Sequence, residues 1–224
     1  MPSTTRSRAA RERRDEVARR VLAAVHALVA DGTPYTELPV QRIAEAAGVA
    51  RSTFYLHFPD KSRLLIALAE QGGQAMFDAA VAWWRGDHSD GPSGVETAMT
   101  RMLQEYRANR WVLLALSEVS AYDPDVAAFY HARLTRFTEL TRHRLESDQA
   151  SGAVPPDLDP STTASVLTWM VERTISMHCR TQPPAADPPL ARTLARAIWL
   201  TVYAAAPAVP PPGHAERPPA PPTR

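Results

Sequence analysis

The sequence predicts an all-α protein of about nine helices, with an N-terminal three-helix domain and a larger C-terminal helical domain. Apolar residues recur at steps of three and four along most of the 224 residues, which is the period of an amphipathic helix. No stretch shows the sustained alternation that is typical of a half-buried strand. Runs of β-branched residues, which strands favour, are few. Together these observations argue against a β-rich fold.

Three helices are predicted in the N-terminal domain, residues 12–60. The first spans 13–30 and ends at an Asp-Gly pair. A proline opens the second, over 39–47, because its missing N–H would be unbonded in a first turn anyway. Gly48 can supply the positive φ that a sharp turn needs, and a short third helix follows over 51–57.

The larger domain, residues 61–206, holds the remaining helices, which are separated by segments rich in proline or glycine. Asp60 is placed to cap the first of them. The stretch from Gly86 to Gly94 is a loop by composition. The spacing of apolar residues predicts helices over 60–85, 95–108, 110–121, 125–150, 161–181 and 187–206.

Both ends of the chain differ from the helical part. Residues 1–11 are predicted to form a flexible basic arm. Residues 207–224 are dense in proline and have little to bury, which is typical of a disordered or polyproline-like tail.

Composition excludes several classes of protein. The chain is 45% hydrophobic and 22% charged, which are ordinary values for a folded protein. No apolar stretch approaches the ~20 residues of a membrane span, and no secretory signal is visible. Cys179 is the only cysteine, so an internal disulfide and a Cys-rich metal site are excluded. These features predict a cytoplasmic protein.

The net charge of +1 is unevenly distributed along the chain. Residues 1–63 carry 11 basic and 7 acidic side chains, whereas residues 64–224 carry 14 and 17. The positive excess at the N-terminal end indicates a part that faces nucleic acid.

The segment from Val40 to Lys61, VQRIAEAAGVARSTFYLHFPDK, carries the strongest functional signal. A helix, a glycine-containing turn and a short second helix form the layout of a helix-turn-helix motif. Small residues let the two helices approach closely, and two phenylalanines four residues apart share one helix face. The residues predicted to pack this motif are Ile43, Ala44, Ala47, Val49, Phe54 and Phe58.

The outer side of the short helix is polar. It offers guanidinium, hydroxyl and imidazole groups, which suit a DNA groove. Lys61 starts the next helix, where its charge and the free N–H groups nearby suit a phosphate. We predict that bases are read by Arg51, Ser52 and Thr53, and that phosphates are held by Tyr55, His57 and Lys61.

The run AEAAGVARSTFYLHFPDK resembles the signature of the TetR family of transcriptional repressors, in which Tyr, an aromatic residue or His, Phe and then Lys follow the turn. The resemblance covers residues 12–60 and implies DNA binding by this domain. Many members have a hydroxyl residue before the second helix, where Leu38-Pro39 stand here. Thr33 and Thr36 are the nearest hydroxyls, and Thr36 is included among the predicted DNA-binding residues.

Short stretches of the C-terminal domain resemble the ethionamide-repressor-like subgroup of that family. They are LTWMVERT, residues 167–174, and IWLTVY, residues 198–203. The resemblance implies an elongated apolar tunnel that binds a lipophilic small molecule. Thr168 and Val171 stand where the subgroup has amide side chains. The ligand-binding residues predicted in this way are Met102, Tyr106, Tyr130, Leu134, Phe137, Thr168, Val171, Glu172, Ile175 and Trp199.

An ordinary core position is the alternative for each of these residues taken singly, because a buried apolar face has the same helical spacing. Glu172 has an alternative of its own, a bond to Arg173 or to a neighbouring helix.

The resemblance also implies a homodimer through the last two predicted helices, 161–181 and 187–206, packed as a four-helix interface. Such a dimer places two recognition helices in successive major grooves, about 34–36 Å apart. An Ala-rich face on the last helix is consistent with contact between chains and equally with packing inside one chain. That face consists of Ala191, Leu194, Ala195, Ile198 and Val202.

The predicted function is that of a transcriptional repressor released from a palindromic DNA operator by a lipophilic small molecule. Two alternatives stay open: an all-α small-molecule-binding or adaptor protein without specific DNA binding, and an activator of the same fold. The N-terminal arginines either add DNA contacts or form a solvated basic tail; they are Arg6, Arg8, Arg11, Arg13 and Arg14.

Catalytic and metal-binding motifs are not found in the sequence. The seven histidines form no ligand pattern such as H-E-x-x-H, and G-x-S-x-G, P-loop and G-x-G-x-x-G sequences are absent. The sequence therefore predicts no enzyme, no cofactor, no metal site and no membrane partner.

Overall fold

Helices make up the architecture, as predicted. A computed structural model describes the backbone of residues 3–72 and 74–203 and the side chains from residue 15 onward, and no strand occurs in these residues. None of the helices in this part of the chain is long and apolar enough to cross a bilayer. The ten helices are α1 (Ser3–Ala30), α2 (Val40–Ala46), α3 (Arg51–His57), α4 (Lys61–Gly72), α5 (Gln74–Arg85), α6 (Gly91–Ala108), α7 (Arg110–Val119), α8 (Pro124–Ala150), α9 (Pro160–Thr181) and α10 (Asp187–Val202).

The helix predicted over 60–85 corresponds to α4 and α5, which lie on either side of residue 73, a position outside the described residues. Position 72 has no room for a side chain, because a Cβ there would lie 2.7 Å from Asn109 Oδ1. α4 packs against α7, and α5 packs against α6.

Three helix starts differ from the prediction. α1 begins at Ser3, so residues 3–11 lie in a helix and not in a flexible arm. Alanine, arginine and glutamate favour a helix even where no apolar stripe marks a buried face. α6 begins at Gly91, inside the predicted loop, because Pro92 is compatible with a first helical turn. Pro39 precedes α2 in an extended conformation.

The two predicted ends of the chain are described only in part. The tail over 207–224 and the end of the helix predicted to reach residue 206 lie outside the described residues. The side chains of the arginines between residues 6 and 14 also lie outside them.

The N-terminal helices form a small bundle whose core lies behind the helix-turn-helix motif. Val21 and Val25 of α1, Ile43 of α2 and Phe54 of α3 are all fully buried. Phe58, at the end of α3, packs against Phe54 with 5.8 Å between the ring centroids. Burial of these residues anchors one side of α3, so its opposite side is left to solvent.

The Ala-rich face of α10 packs inside the chain. All five of its residues are buried, and α10 lies against α6. Of the two alternatives for this face, packing within one chain is therefore correct. Large apolar side chains are exposed elsewhere on α9 and α10, and they are Val166, Trp169, Met177 and Leu200.

A largely buried polar network joins the end of α5 and the loop before α6 to α8 and the end of α10. Arg144 donates to Asp148 Oδ1 at 2.7 Å and to the carbonyls of Trp84 and Gly86 at 2.8 and 2.6 Å. The hydroxyl of Tyr203 donates to Asp148 Oδ2 at 2.8 Å. These bonds connect four segments at one end of the C-terminal domain.

His88 completes this network and is held as a neutral ring. Its Nδ1 lies 2.8 Å from the Tyr203 hydroxyl and 3.2 Å from an Arg144 nitrogen, and its Nε2 lies 3.1 Å from the Trp83 carbonyl. The ring stacks on Trp83 at 4.3 Å. Burial, and then the charge of Arg144, lower the pKa of His88 below its ordinary value of 6.5.

This environment predicts that folding stability falls as the pH drops through the ordinary histidine range. The unfolded chain binds a proton near pH 6.5, whereas folded His88 stays neutral until the pH passes below its lowered pKa. His26, whose pKa is also lowered by burial, acts in the same direction. The melting temperature of the unmodified protein is expected to fall between pH 7 and pH 5, and we expect a smaller fall in His88→Gln. His131→Gln, which changes an exposed histidine, is the control, and an unchanged pH profile in His88→Gln would contradict the prediction.

Candidate nucleic-acid interface and apolar cavity

α2 and α3 meet at a sharp turn that glycine makes possible. Gly48 has a φ of +64°, as the sequence predicts. Arg20 of α1 donates to the carbonyls of Ala47 and Gly48 at 2.5 and 2.8 Å, so its guanidinium satisfies acceptors at the end of α2. A Cβ at position 48 would lie 2.7 Å from this guanidinium. Arg20 is not among the predicted residues because nothing in the local pattern distinguishes it from the other arginines of α1.

The polar side chains predicted to contact DNA lie together on α3. Arg51, Ser52 and Tyr55 are exposed, and Thr53 and His57 are half-buried. Arg51 Nη2 lies 3.3 Å from the Tyr55 hydroxyl, and its guanidinium is 5.6 Å from the centre of the Tyr55 ring. The short helix therefore presents cationic, hydroxyl and aromatic groups on the side away from its buried phenylalanines.

Leu56 also lies on this surface, although it is not among the predicted DNA-binding residues. It is 81% exposed, the highest value among the exposed large apolar side chains of the described residues. Leu56 lies two residues from both Phe54 and Phe58, which places it about 200° around the helix from each. That spacing alone could have identified it. An apolar side chain in this position can contact the methyl group of thymine.

Lys61 and Tyr35 hold the segment before α2 onto the start of α4. Lys61 Nζ donates to the carbonyls of Tyr35 and Thr36, both at 3.0 Å, and the Tyr35 hydroxyl donates to the Lys61 carbonyl at 2.6 Å. Burial lowers the pKa of Lys61 and raises that of Tyr35. Two of the three ammonium protons of Lys61 are thus used within the protein, and one is free for the predicted contact with a phosphate.

Leu38-Pro39 stand where many family members have a hydroxyl residue before the second helix, and the structure shows the consequence. No side chain caps the N-terminus of α2, and Leu38 is fully buried. Thr36 is half-buried in a 3₁₀ turn over Tyr35–Glu37. Its carbonyl binds Lys61, and its hydroxyl stays a predicted DNA contact.

The C-terminal domain contains an apolar cavity of about 60 Å³ between α5, α6, α7, α8 and α9. Nine of the ten residues predicted to bind a ligand line it. Trp199 does not, because it packs against Tyr203 with 4.7 Å between the ring centroids. The nine are Met102, Tyr106, Tyr130, Leu134, Phe137, Thr168, Val171, Glu172 and Ile175.

Six further residues line the cavity without having been predicted. The α5 residues lie in the predicted helix over 60–85, and the α7 residues lie in the uninterrupted apolar run from Trp111 to Leu116. Spacing alone does not single out a cavity-lining face in either stretch. The six are Met76, Phe77, Ala80, Leu113, Leu116 and Arg133.

The few polar groups in the cavity wall are mostly hydrogen-bonded within the protein. The Tyr130 hydroxyl donates to Glu172 Oε1 at 2.5 Å, and the Tyr106 hydroxyl donates to Ser176 Oγ at 3.2 Å. Burial, and then the bond to Glu172, raise the pKa of Tyr130. Glu172 thus bonds a neighbouring helix, which is one of the two alternatives, and not Arg173.

Arg133 connects the cavity to α4. Its Nη1 donates to the Ala69 carbonyl in the last turn of α4 at 2.8 Å. The guanidinium lies 4.4 Å from the centre of the Phe77 ring and 5.6 Å from that of Phe129, and burial lowers the pKa of Arg133. A group that enters the cavity beside Phe77 therefore meets the side chain that ties α8 to α4.

The start of α4 is also tied to α8. Ser62 Oγ donates to Asp123 Oδ2 at 2.5 Å, and Arg63 pairs with Asp125 at 3.1 Å. Asp123 in turn caps α8 by accepting from two of its backbone N–H groups. α4 thus joins the helix-turn-helix motif to the helix that forms one wall of the cavity.

Two family models match separate parts of the chain. Residues 17–68 match "Bacterial regulatory proteins, tetR family" and residues 95–204 match "Transcriptional regulator EthR, C-terminal domain". The first match contains the turn at Gly48, and the second contains most of the cavity wall.

Individual proteins agree with these models. The chain is 23% identical over 204 residues to the HTH-type transcriptional regulator EthR of Mycolicibacterium smegmatis, covering 89% of this chain and 92% of that protein. Identity to EthR of Mycobacterium tuberculosis is 25% over 196 residues, covering 87% and 90%. A solved structure of the regulator FadR from Bacillus subtilis in complex with stearoyl-CoA shares the fold, with a TM-score of 0.64 at 16% identity, covering 82% of this chain and 98% of that one.

Proposed function

The chain belongs to the TetR family of bacterial transcriptional regulators, with an EthR-type C-terminal domain, and we propose that it represses a two-fold-related operator until a lipophilic effector fills the cavity. The relatives that it matches are HTH-type transcriptional regulators. The observation that carries the proposal is the solvent face of α3, where Arg51, Ser52, Tyr55 and Leu56 are exposed above a fully buried Phe54. Hydrogen-bonding and apolar groups on one short helix are what direct reading of a major groove requires.

A homodimer through α9 and α10 is the second part of the proposal. It is supported by the four large apolar side chains that these helices expose to solvent. Scattered exposed apolar residues are ordinary, but three of these four lie on one helix, α9, which favours an interface there. Two recognition helices held by a dimer can reach successive major grooves.

Release by an effector is the third part. The cavity is narrow, about 60 Å³, so a molecule longer than a few atoms has to move its walls. Arg133 and Phe77 are among those walls, and Arg133 is bonded to α4. An effector that favours a displaced α4 shifts the two DNA-binding domains from operator spacing, and DNA affinity falls by linkage. The stearoyl-CoA complex of FadR is a precedent for a long lipophilic ligand in this fold.

The experiment that tests the function is a genome-wide DNA selection with the purified protein. One two-fold-related motif is expected. Weak, strongly salt-dependent binding to all sequences would instead favour the adaptor alternative, because phosphate contacts alone carry no sequence information. Transcription in vitro from the selected site then separates a repressor from an activator.

The roles of single residues predict two different effects on DNA binding. Thr53→Ala is expected to change preference at particular base pairs by about tenfold, since each good base contact contributes ~1–3 kcal/mol. Lys61→Ala is expected to weaken binding to all sequences alike, because it removes a charge and the bonds that hold Tyr35 and Thr36. Binding to the operator and to single-base variants, measured by fluorescence anisotropy, distinguishes them. Equal effects of both changes on specific and random DNA would contradict these roles.

A further inference from the structure

A second, smaller cavity of about 20 Å³ adjoins the first. The two share Ala80, Met102, Phe137 and Val171 in their walls, so they lie end to end between α5, α6, α8 and α9, and these side chains separate them. Trp83 and Trp84 line only the second cavity. Both cavities are apolar along most of their length.

Two buried side-chain atoms lack a hydrogen-bond partner among the described residues, and both belong to the walls of these cavities. They are Thr141 Oγ1 in the second cavity and Glu172 Oε2 in the first. Buried polar groups are nearly always paired. Two unpaired atoms in the walls of adjoining cavities therefore point to partners that a bound molecule supplies.

Thr141 differs from other threonines of the helices. Several donate their hydroxyl proton to the carbonyl four residues earlier; they are Thr97, Thr100, Thr168, Thr181, Thr193 and Thr201. The Thr141 hydroxyl has no such bond although it is fully buried. It is thus available to a ligand.

Glu172 has one oxygen occupied and one free. Oε1 accepts from the Tyr130 hydroxyl, and Oε2 accepts from nothing in the described residues. No basic side chain of these residues pairs with Glu172, and Arg133, which lines the same cavity, is bonded to the Ala69 carbonyl. An ionised carboxylate accepts hydrogen bonds but cannot donate them, so the missing partner is a donor.

We propose that the effector is an elongated apolar molecule with a protonated amine at one end, and that the amine binds Glu172 Oε2. The proposal rests on the effector-responsive function proposed above. An ammonium group brings donors and a compensating charge, and a charge-assisted hydrogen bond is stronger than a neutral one. A carboxylate at the same end would meet the like charge of Glu172.

Three probes with the same chain length test the proposal: decylamine, decan-1-ol and decanoate, each used below its micelle concentration. Binding to the full chain is measured at pH 7 by calorimetry. Decylamine is expected to bind about tenfold or more tightly than either of the others. In Glu172→Gln its affinity is expected to fall to within about twofold of that of decan-1-ol. Glu118→Gln, which changes an exposed glutamate of α7, is expected to leave all three affinities unchanged.

Equal or tighter binding of decanoate or decan-1-ol to the unmodified protein would overturn the proposal, as would an unchanged preference for decylamine in Glu172→Gln. If Glu172→Gln does not fold, Tyr130→Phe replaces it as the test. This change frees the second oxygen of Glu172, so the preference for decylamine is expected to persist or increase, and its loss would overturn the proposal.

Operator binding in the presence of the probes separates this proposal from the function on which it rests. Decylamine is expected to release the operator selected above. If decanoate alone releases the operator, the protein responds to an effector as proposed, but the proposal that the effector carries an amine is wrong. If no probe binds and none changes operator affinity, the effector-responsive function and the amine-bearing effector are both rejected. The proposal of DNA binding is tested separately, by the genome-wide DNA selection.

Discussion

Replacing Trp169 by glutamate is expected to convert the proposed dimer to a monomer and to lower operator affinity by about 100-fold or more. The affinity loss follows because two linked DNA-binding domains gain ~10²–10⁴ in avidity over one. Trp169 is 44% exposed on α9, and its ring is 6.4 Å from His131 of the same chain. The part of the indole that its own chain leaves exposed is large enough to serve as an anchor between chains.

A charge at this position would have to be buried without a partner at the proposed interface, which opposes association. Thr97→Glu adds the same charge to an exposed position of α6 and serves as the control. Sedimentation velocity gives the oligomeric state, and anisotropy with the selected operator gives the affinity. A folded Trp169→Glu variant that remains dimeric would place the interface elsewhere.

Replacing Arg144 by methionine is expected to destabilise the fold by about 3 kcal/mol, because it removes the cation from a largely buried ion pair. The side chains of Arg144 and Asp148 are 22% and 11% exposed. Without Arg144, Asp148 keeps only the Tyr203 hydroxyl, and the carbonyls of Trp84 and Gly86 lose their donor. Methionine retains an unbranched apolar stem, so loss of packing contributes little.

The same helix provides a matched control. Arg142 pairs with Glu139 and Glu146, but these carboxylates are 51% and 45% exposed. Water can replace such partners, so Arg142→Met is expected to cost less than about 1 kcal/mol. Thermal melts compare the two variants. In a chain of this size, Arg144→Met is expected to lower the melting temperature by about 6–12 °C. Equal losses in the two variants would show that the network at Arg144 contributes no more than a surface pair.

Local patterns determine much of this protein. The helix ends depend on residues that act over one turn, such as Asp60, which accepts from the Arg63 N–H at 2.7 Å, and Gly48 with its positive φ. The buried faces follow from the 3.6-residue period, so Phe54 and Phe58 lie in the core as predicted. The same period brings nine of the ten predicted cavity residues to one space. The outer face of α3 follows as well, since it is the side that the phenylalanines leave free.

Tertiary structure decided the features that depend on residues distant in sequence. Periodicity shows that a face is buried but not which helix covers it, so only the packing of α10 against α6 assigned the Ala-rich face to the interior. The bonds of Lys61 to the carbonyls of Tyr35 and Thr36 span 26 and 25 residues, and that of Arg133 to Ala69 spans 64. A side chain's local sequence does not determine which distant carbonyl it will meet. The unpaired oxygen of Glu172 likewise emerged only once α8 and α9 were in place, because a missing partner is a property of the whole surrounding cavity.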